Sequence, residues 1–191
     1  MPELSVTAAM HRQLVAWLRQ NKHVFRLVIA GSFHQDDGQG NRTNRCALFR
    51  GDGLKLGEFD KWLAYTSRSH GTENIVPGKR LLVINTTAGL WSPAICLDFL
   101  QRDEDKRDHH PEFPWNRISG DLLLVASMGH NSTVKGHKAR AAVLATEFYP
   151  RVVVANITPE SDSQHPGFVQ EKGAPRSNKP PHSMWPPLRS V

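Results

Sequence analysis

The stretch Arg80–Phe99, RLLVINTTAGLWSPAICLDF, decides how this chain is read, and its pivotal residue is Cys96. An apolar strand over Leu81–Ile84 leads through a polar, glycine-containing turn into Pro93-Ala94-Ile95-Cys96-Leu97-Asp98. A cysteine at the end of a buried strand, followed by a turn, is where a fold can hold a nucleophile rigidly with its sulfur exposed. Two other stretches gain meaning from it. One is Pro2-Glu3-Leu4 at the start; the other is Lys61, after the run Gly53-Leu54-Lys55-Leu56-Gly57-Glu58-Phe59-Asp60. Together they supply a carboxylate, an ammonium and a thiol.

Moving outward from that stretch, Thr7–Lys22 has the spacing of an amphipathic helix. Ser5 or Thr7 is placed to cap it, and Met10, Leu14, Trp17 and Leu18 fall on one face. Val24–Ala30 and Arg45–Arg50 read as strands, separated by a polar loop over His34–Asn44, and Gly51-Asp52-Gly53 is a hairpin signal. Tyr65–Gly78 has no period and reads as loop, as do the charged segment Gln101–Trp115 and Ser127–Gly136. Leu122–Ala126 is a continuous apolar run suited to a strand covered on both faces. Lys138–Phe148 is alanine-rich and helical, and Val152–Ala155 is a last buried strand. Strands and helices interleave, which predicts an α/β layered fold.

At 191 residues the chain has room for one domain with a substantial core. The character changes after Thr158, where proline becomes frequent and aliphatic residues scarce. This predicts two parts, a folded domain over 1–158 and a proline-rich, extended or disordered tail over 159–191. No apolar run has the length of a membrane span, and the N-terminus lacks the pattern of a signal peptide, so the expected compartment is the cytoplasm. The Asn-x-Ser/Thr triplets at Asn41, Asn85, Asn131 and Asn156 then read as chance matches. The net charge of +6 invites a nucleic-acid reading. Against it, the basic residues are scattered, and the dense run Arg102–Arg107 mixes signs.

The two cysteines, Cys46 and Cys96, have no metal or redox spacing. Cys46, in Arg45-Cys46-Ala47-Leu48-Phe49, fits a small buried hydrophobe. The histidines show no HExxH-like spacing, so no metal is expected. Trp91 and Trp115 are candidates for lining a pocket, although core packing suits at least one of them. A thiol near an ammonium shifts toward the thiolate, and a carboxylate able to take its proton helps as general base. The ammonium can then face an oxyanion that develops on attack. Taken singly, Glu and Lys are far more often solvated surface residues.

Three stretches, in order, resemble the motifs of the nitrilase, or carbon–nitrogen hydrolase, superfamily: PELS (Pro2–Ser5), GLKLGEFDKW (Gly53–Trp62) and AICLDF (Ala94–Phe99). Connecting segments match as well. Glu73-Asn74-Ile75-Val76-Pro77-Gly78 resembles the segment before the nucleophile strand, Asp121–Ser127 the strand after it, and Lys138–Ala141 the following helix. The resemblance covers about residues 1–158 and implies a four-layer αββα nitrilase-like sandwich. The general-base motif stands at the very start of the chain, and the closing strands give way to the proline-rich tail. A sandwich incomplete at its N-terminal and C-terminal ends is therefore expected. After Asp98 the sequence runs into Phe99-Leu100-Gln101, without the family's usual Pro-Glu.

Carried over by motif, the resemblance makes Cys96 the nucleophile and Glu3 the general base. Lys61 would stabilise the tetrahedral intermediate with the backbone N–H of Leu97, and Glu73 is the candidate second glutamate. The implied reaction is hydrolysis of a small-molecule amide or nitrile through a thioester, and the resemblance implies no organic cofactor. A homo-oligomer is implied, with no membrane or nucleic-acid partner. The alternative from another class is a catalytically inactive nitrilase-like binding or regulatory protein. Thiol labelling separates the two.

Overall fold

A computed structural model of the chain describes residues 8–36, 38–67, 71–100, 120–129, 131–147, 151–157 and 167–171. In chain order these form α1 (Ala8–Gln20), β1 (Leu27–Asp36), β2 (Arg42–Arg50), β3 (Lys55–Asp60), β4 (Thr66–Ser67) and β5 (Gly71–Thr72). There follow β6 (Ile84–Thr86), β7 (Gly89–Ile95), α2 (Leu97–Leu100), β8 (Leu122–Met128), α3 (Asn131–Glu147), β9 (Arg151–Ile157) and β10 (Gly167–Gln170).

One sheet has three antiparallel strands, β1-β2-β3; the other has five, in the order β10-β9-β8-β7-β6. Within the larger sheet β7, β8 and β9 are parallel, and β6 and β10 run antiparallel at its edges. A minimal hairpin, β4-β5, stands apart.

Alternation of side chains along the strands assigns the layers. Leu18 of α1 is buried with Ala47 and Phe49 of β2, and Leu14, Val15, Val28 and Ala30 pack against them. From the opposite face of β2, Cys46 meets Phe59, Ile95 and Cys96, with Ile29 and Leu82 alongside. Beyond the larger sheet, Leu123, Val125, Val152 and Val154 pack on Ala141 and Leu144 of α3, together with Ala94 and Phe99. The layers therefore run α1, small sheet, large sheet, α3, which is the αββα order that the family resemblance implies. Each fully buried Leu or Val contributes roughly 1.5–3 kcal/mol relative to exposure, so these clusters bind the layers together. Among the described residues no helix is long and apolar enough to cross a membrane.

Several boundaries differ from the sequence expectations, for tertiary reasons. Met10 and Trp17 are half exposed, at 46% and 45%, so the buried stripe of α1 is Leu14, Val15 and Leu18. β1 does not stop at Gly31: a register shift between Ile29 and Ser32 is absorbed there by glycine at φ 71°, and pairing with β2 continues to Asp36. The expected loop over 34–44 shrinks accordingly. Leu81–Val83 is not a strand. Ser92 Oγ donates to Leu82 O at 3.0 Å and, just before the segment, Trp62 Nε1 to Arg80 O at 2.9 Å, so side chains in place of a ladder meet these two carbonyls. α3 begins at Asn131, seven residues before the alanine-rich run, and takes in most of the expected loop over 127–136. The apolar pair Phe168-Val169, beyond Thr158, lies in β10, which pairs with Val153 and Val154 of β9.

Candidate active site

β7, β8 and β9 are in register at their carboxyl ends, where Ile95 pairs with Ala126 and Ala126 with Ala155. The next residues are Cys96, Ser127 and Asn156, three polar side chains in a row at the ends of parallel strands. Such strand ends are the usual place for a site in an α/β sheet.

Cys96 leaves β7 through a left-handed backbone conformation, φ 43°, the one non-glycine residue with positive φ among the described residues. An L-residue in that region costs of order 1–2 kcal/mol and persists only where surroundings hold it. Here Cys96 N–H donates to Ala126 O at 2.7 Å, and Cys96 O accepts from Phe99 N–H at 3.1 Å. His137 of α3, fully buried and stacked on Phe99, places Nε2 3.3 Å from the same carbonyl and Nδ1 2.7 Å from Thr133 O. Burial holds the His137 pKa below its ordinary value, although the two carbonyls pull the other way. Cys96 is 9% exposed, and its sulfur receives the Ser127 hydroxyl at 3.7 Å. Leu97 opens α2, so its N–H belongs to the first helical turn, whose donors have no partner within the helix.

Lys61 follows β3 and is fully buried. Its backbone is held on two sides: Lys61 N–H donates to Asn44 O at 2.7 Å, and Gly78 N–H to Lys61 O at 2.8 Å. Only glycine fits at 78, because a Cβ there would stand 2.3 Å from Asp60 O. The ammonium donates to Glu73 Oε2 at 2.6 Å. Glu73 also accepts from Tyr65 N–H at 3.0 Å, Asn44 Nδ2 at 2.9 Å and His34 Nε2 at 3.0 Å. Burial acts most strongly on Glu73 and opposes its charge. The Lys61 ammonium and the other donors together outweigh it, and the carboxyl lies below its usual value.

Asp98 links the two halves. Its carboxylate, 2% exposed, accepts from Trp62 N–H at 3.2 and 3.3 Å and from Leu63 N–H at 3.0 Å. Burial pushes its pKa up to about 7 against the pull of the backbone N–H groups of Leu63 and Trp62, the Lys61 charge and Ile95 N–H.

Of the residues expected from the sequence, Lys61 and Glu73 form an ion pair, and Asp98 ties the chain after Lys61 to the helical turn after Cys96. Glu3 lies outside the described residues, as does Trp115; Trp91 is half-buried in β7. Asn44, His34, Asp98, Ser127 and His137 were not read from the sequence as parts of the site. One signal was present for Asp98, a lone carboxylate inside the apolar run Ala94–Phe99. Among the described residues no cluster of His, Cys, Asp or Glu could hold a metal ion.

No family model matches this chain, and no curated protein sequence does. Solved structures do. An amidase from Nesterenkonia sp. is 20% identical with a TM-score of 0.58, the match covering 81% of this chain and 55% of that one. A mutant of that amidase shows covalent addition of the acetamide moiety of fluoroacetamide at the active site cysteine. Saccharomyces cerevisiae Nit3, a member of branch 10 of the nitrilase superfamily, is 19% identical with a TM-score of 0.61, covering 84% of this chain and 58% of that one. The chain thus spans a little over half the length of the solved proteins it matches. With the layer order and these likenesses in hand, the fold of this chain is similar to that of the Nesterenkonia amidase and of yeast Nit3, a nitrilase-superfamily member.

Proposed function

We propose that this chain belongs to a cysteine-dependent hydrolase of non-peptide carbon–nitrogen bonds, of amidase or nitrilase type. The observation that carries the proposal is Cys96, held in a left-handed turn at the end of β7 and joined through Asp98 to the segment bearing the Lys61–Glu73 pair. The chemistry follows from those groups. The Cys96 thiolate attacks the amide carbon, and the carbonyl π electrons move to oxygen. Lys61 and the Leu97 N–H stabilise that oxyanion. Glu3 takes the thiol's proton as the sulfur attacks; collapse breaks the C–N bond, the nitrogen takes that proton from Glu3, and ammonia or an amine leaves a thioester. Water, deprotonated by Glu3, attacks the thioester, releasing the acid and restoring the thiol. With a nitrile the first adduct is a thioimidate, to which water adds before ammonia leaves. Glu73 is the accessory carboxylate that holds Lys61 in place.

The low exposure of Cys96, 9% with Phe59 and Ile95 packed nearby, favours the second reading, a nitrilase-like binding protein without turnover. Iodoacetamide decides between them. The hydrolase reading expects Cys96 to be alkylated at least about a hundredfold faster than Cys46, and to lose most of that advantage in Lys61→Met and Glu3→Gln. Ammonia release from short aliphatic amides should disappear in Cys96→Ala. Equal, slow alkylation of both cysteines would leave only the binding reading.

A further inference from the structure

The attack, collapse and hydrolysis steps make no use of Asp98, yet its carboxylate is almost completely buried at a junction between the two sheets. On one side it accepts the backbone N–H groups of Trp62 and Leu63, the two residues that directly follow Lys61. On the other it belongs to α2, two residues after Cys96, and the N–H of Ile95 stabilises its charge. Lys61 and Cys96 come from different sheets, so no ladder hydrogen bond sets their separation. Backbone donors on either side of that gap face the carboxylate, and the charge of the Lys61 ammonium, which itself bonds Glu73, acts on it as well.

We propose that Asp98 is a positioning residue: its carboxylate fastens the chain leaving Lys61 to the turn that carries Cys96, and so fixes the ammonium relative to the sulfur. The effect on the thiol rests on the hydrolase reading, in which Lys61 favours the thiolate. Two explanations of an Asp98 variant then have opposite signs. If Asp98 acted on the sulfur only through its own negative charge, removing that charge would favour the thiolate and lower the pH midpoint of alkylation. If Asp98 positions Lys61, removing it loosens the ammonium and raises that midpoint.

The test is iodoacetamide alkylation of the whole chain from about pH 5 to about pH 10, read by peptide mass spectrometry with Cys46 as internal reference. In Asp98→Asn the Cys96 midpoint should rise by about one pH unit, roughly tenfold slower labelling below it. An unmoved or lowered midpoint overturns the proposal, including the case where only the thermal midpoint falls. Should Asp98→Asn fail to fold, hydrogen exchange on the unaltered chain decides. Trp62 and Leu63 amides should exchange at least about a hundredfold slower than unprotected amides, and free exchange there overturns the proposal. Slow labelling of Cys96 in the unaltered chain would sink the hydrolase reading alone, and amide exchange would still judge the clamp.

Discussion

Cys46 and Cys96 share one apolar cluster between the sheets, and the backbone around each makes them chemically different. Cys46 lies in the middle of β2, paired with Ser32 on one side and Phe59 on the other, and is fully buried. Burial pushes its thiol up to about 12, from an ordinary value of 9.0, which leaves about a thousandfold less thiolate than a free cysteine. Cys96 ends its strand instead. Its left-handed turn leads into α2, and a hydroxyl from β8 reaches its sulfur. A strand interior is enclosed by its neighbours, whereas a strand end has one open side and can hold a reactive atom.

The largest effect should come from exchanging the roles of these two sites. Cys96→Ala is expected to lower amide hydrolysis by at least about a thousandfold, while Cys46→Ala leaves turnover within about threefold and lowers only the thermal midpoint. Comparable losses of turnover in both variants would show that the strand interior and the strand end are not distinct sites. Next in size is the support behind Lys61. Removing one partner of a buried ion pair strands the other charge, so Glu73→Ala should cost about 3–5 kcal/mol in urea unfolding. The exposed pair Arg151–Glu171 sets the contrast: Glu171→Ala should cost no more than about 1 kcal/mol.

Ser127→Ala sharpens the account of Cys96 itself. Loss of one hydroxyl donor to sulfur should slow alkylation of Cys96 by about two- to tenfold, and Ser127→Thr should restore it. Unchanged alkylation would remove Ser127 from the site. The smallest effect is a pH dependence. His137 sits below its ordinary value of 6.5, so the unfolded chain takes up that proton first as the pH falls. Its contribution to stability is therefore present above about 6.5 and declines as the pH drops below it. Asp98 works in the opposite direction: with its carboxyl raised from 3.8 to about 7, the unfolded chain loses that proton first, and stability declines as the pH rises between those values. His137→Gln should remove only the acid-side decline, seen as a smaller change of thermal midpoint between about pH 7.5 and pH 5.5. An acid-side decline that persists unchanged would assign it to other groups.

Local periodicity and punctuation were enough to reveal α1, β2, β8, β9, the hairpin at Gly51–Gly53 and the inert character of Cys46. Each of these depends on neighbours close in sequence. The misread positions depend on distant ones. Met10 and Trp17 share the helical period of Leu18, but the stripe packed on β1 and β2 is Leu14, Val15 and Leu18. Leu81–Val83 is as apolar as a strand, yet Ser92 bonds the Leu82 carbonyl, and Trp62 the Arg80 carbonyl just before it, from elsewhere in the fold. His137 fell between the expected loop and the expected helix, and the start of α3 at Asn131 places it inside the helix.

From the amino-acid order alone came the layered α/β class, the separate natures of the two cysteines, and Lys61, Glu73 and Cys96 as residues worth pairing with chemistry. The class and the contrast between the cysteines rest on residue type and spacing, which a linear text contains, whereas the roles of Lys61, Glu73 and Cys96 rest on the motif resemblance. The left-handed turn at Cys96, the four donors around Glu73 and the burial of Asp98 against the chain after Lys61 were decided by the tertiary structure. The physical reason is that a buried polar group must find its partners across the gap between sheets, and no local pattern records which segment will face it.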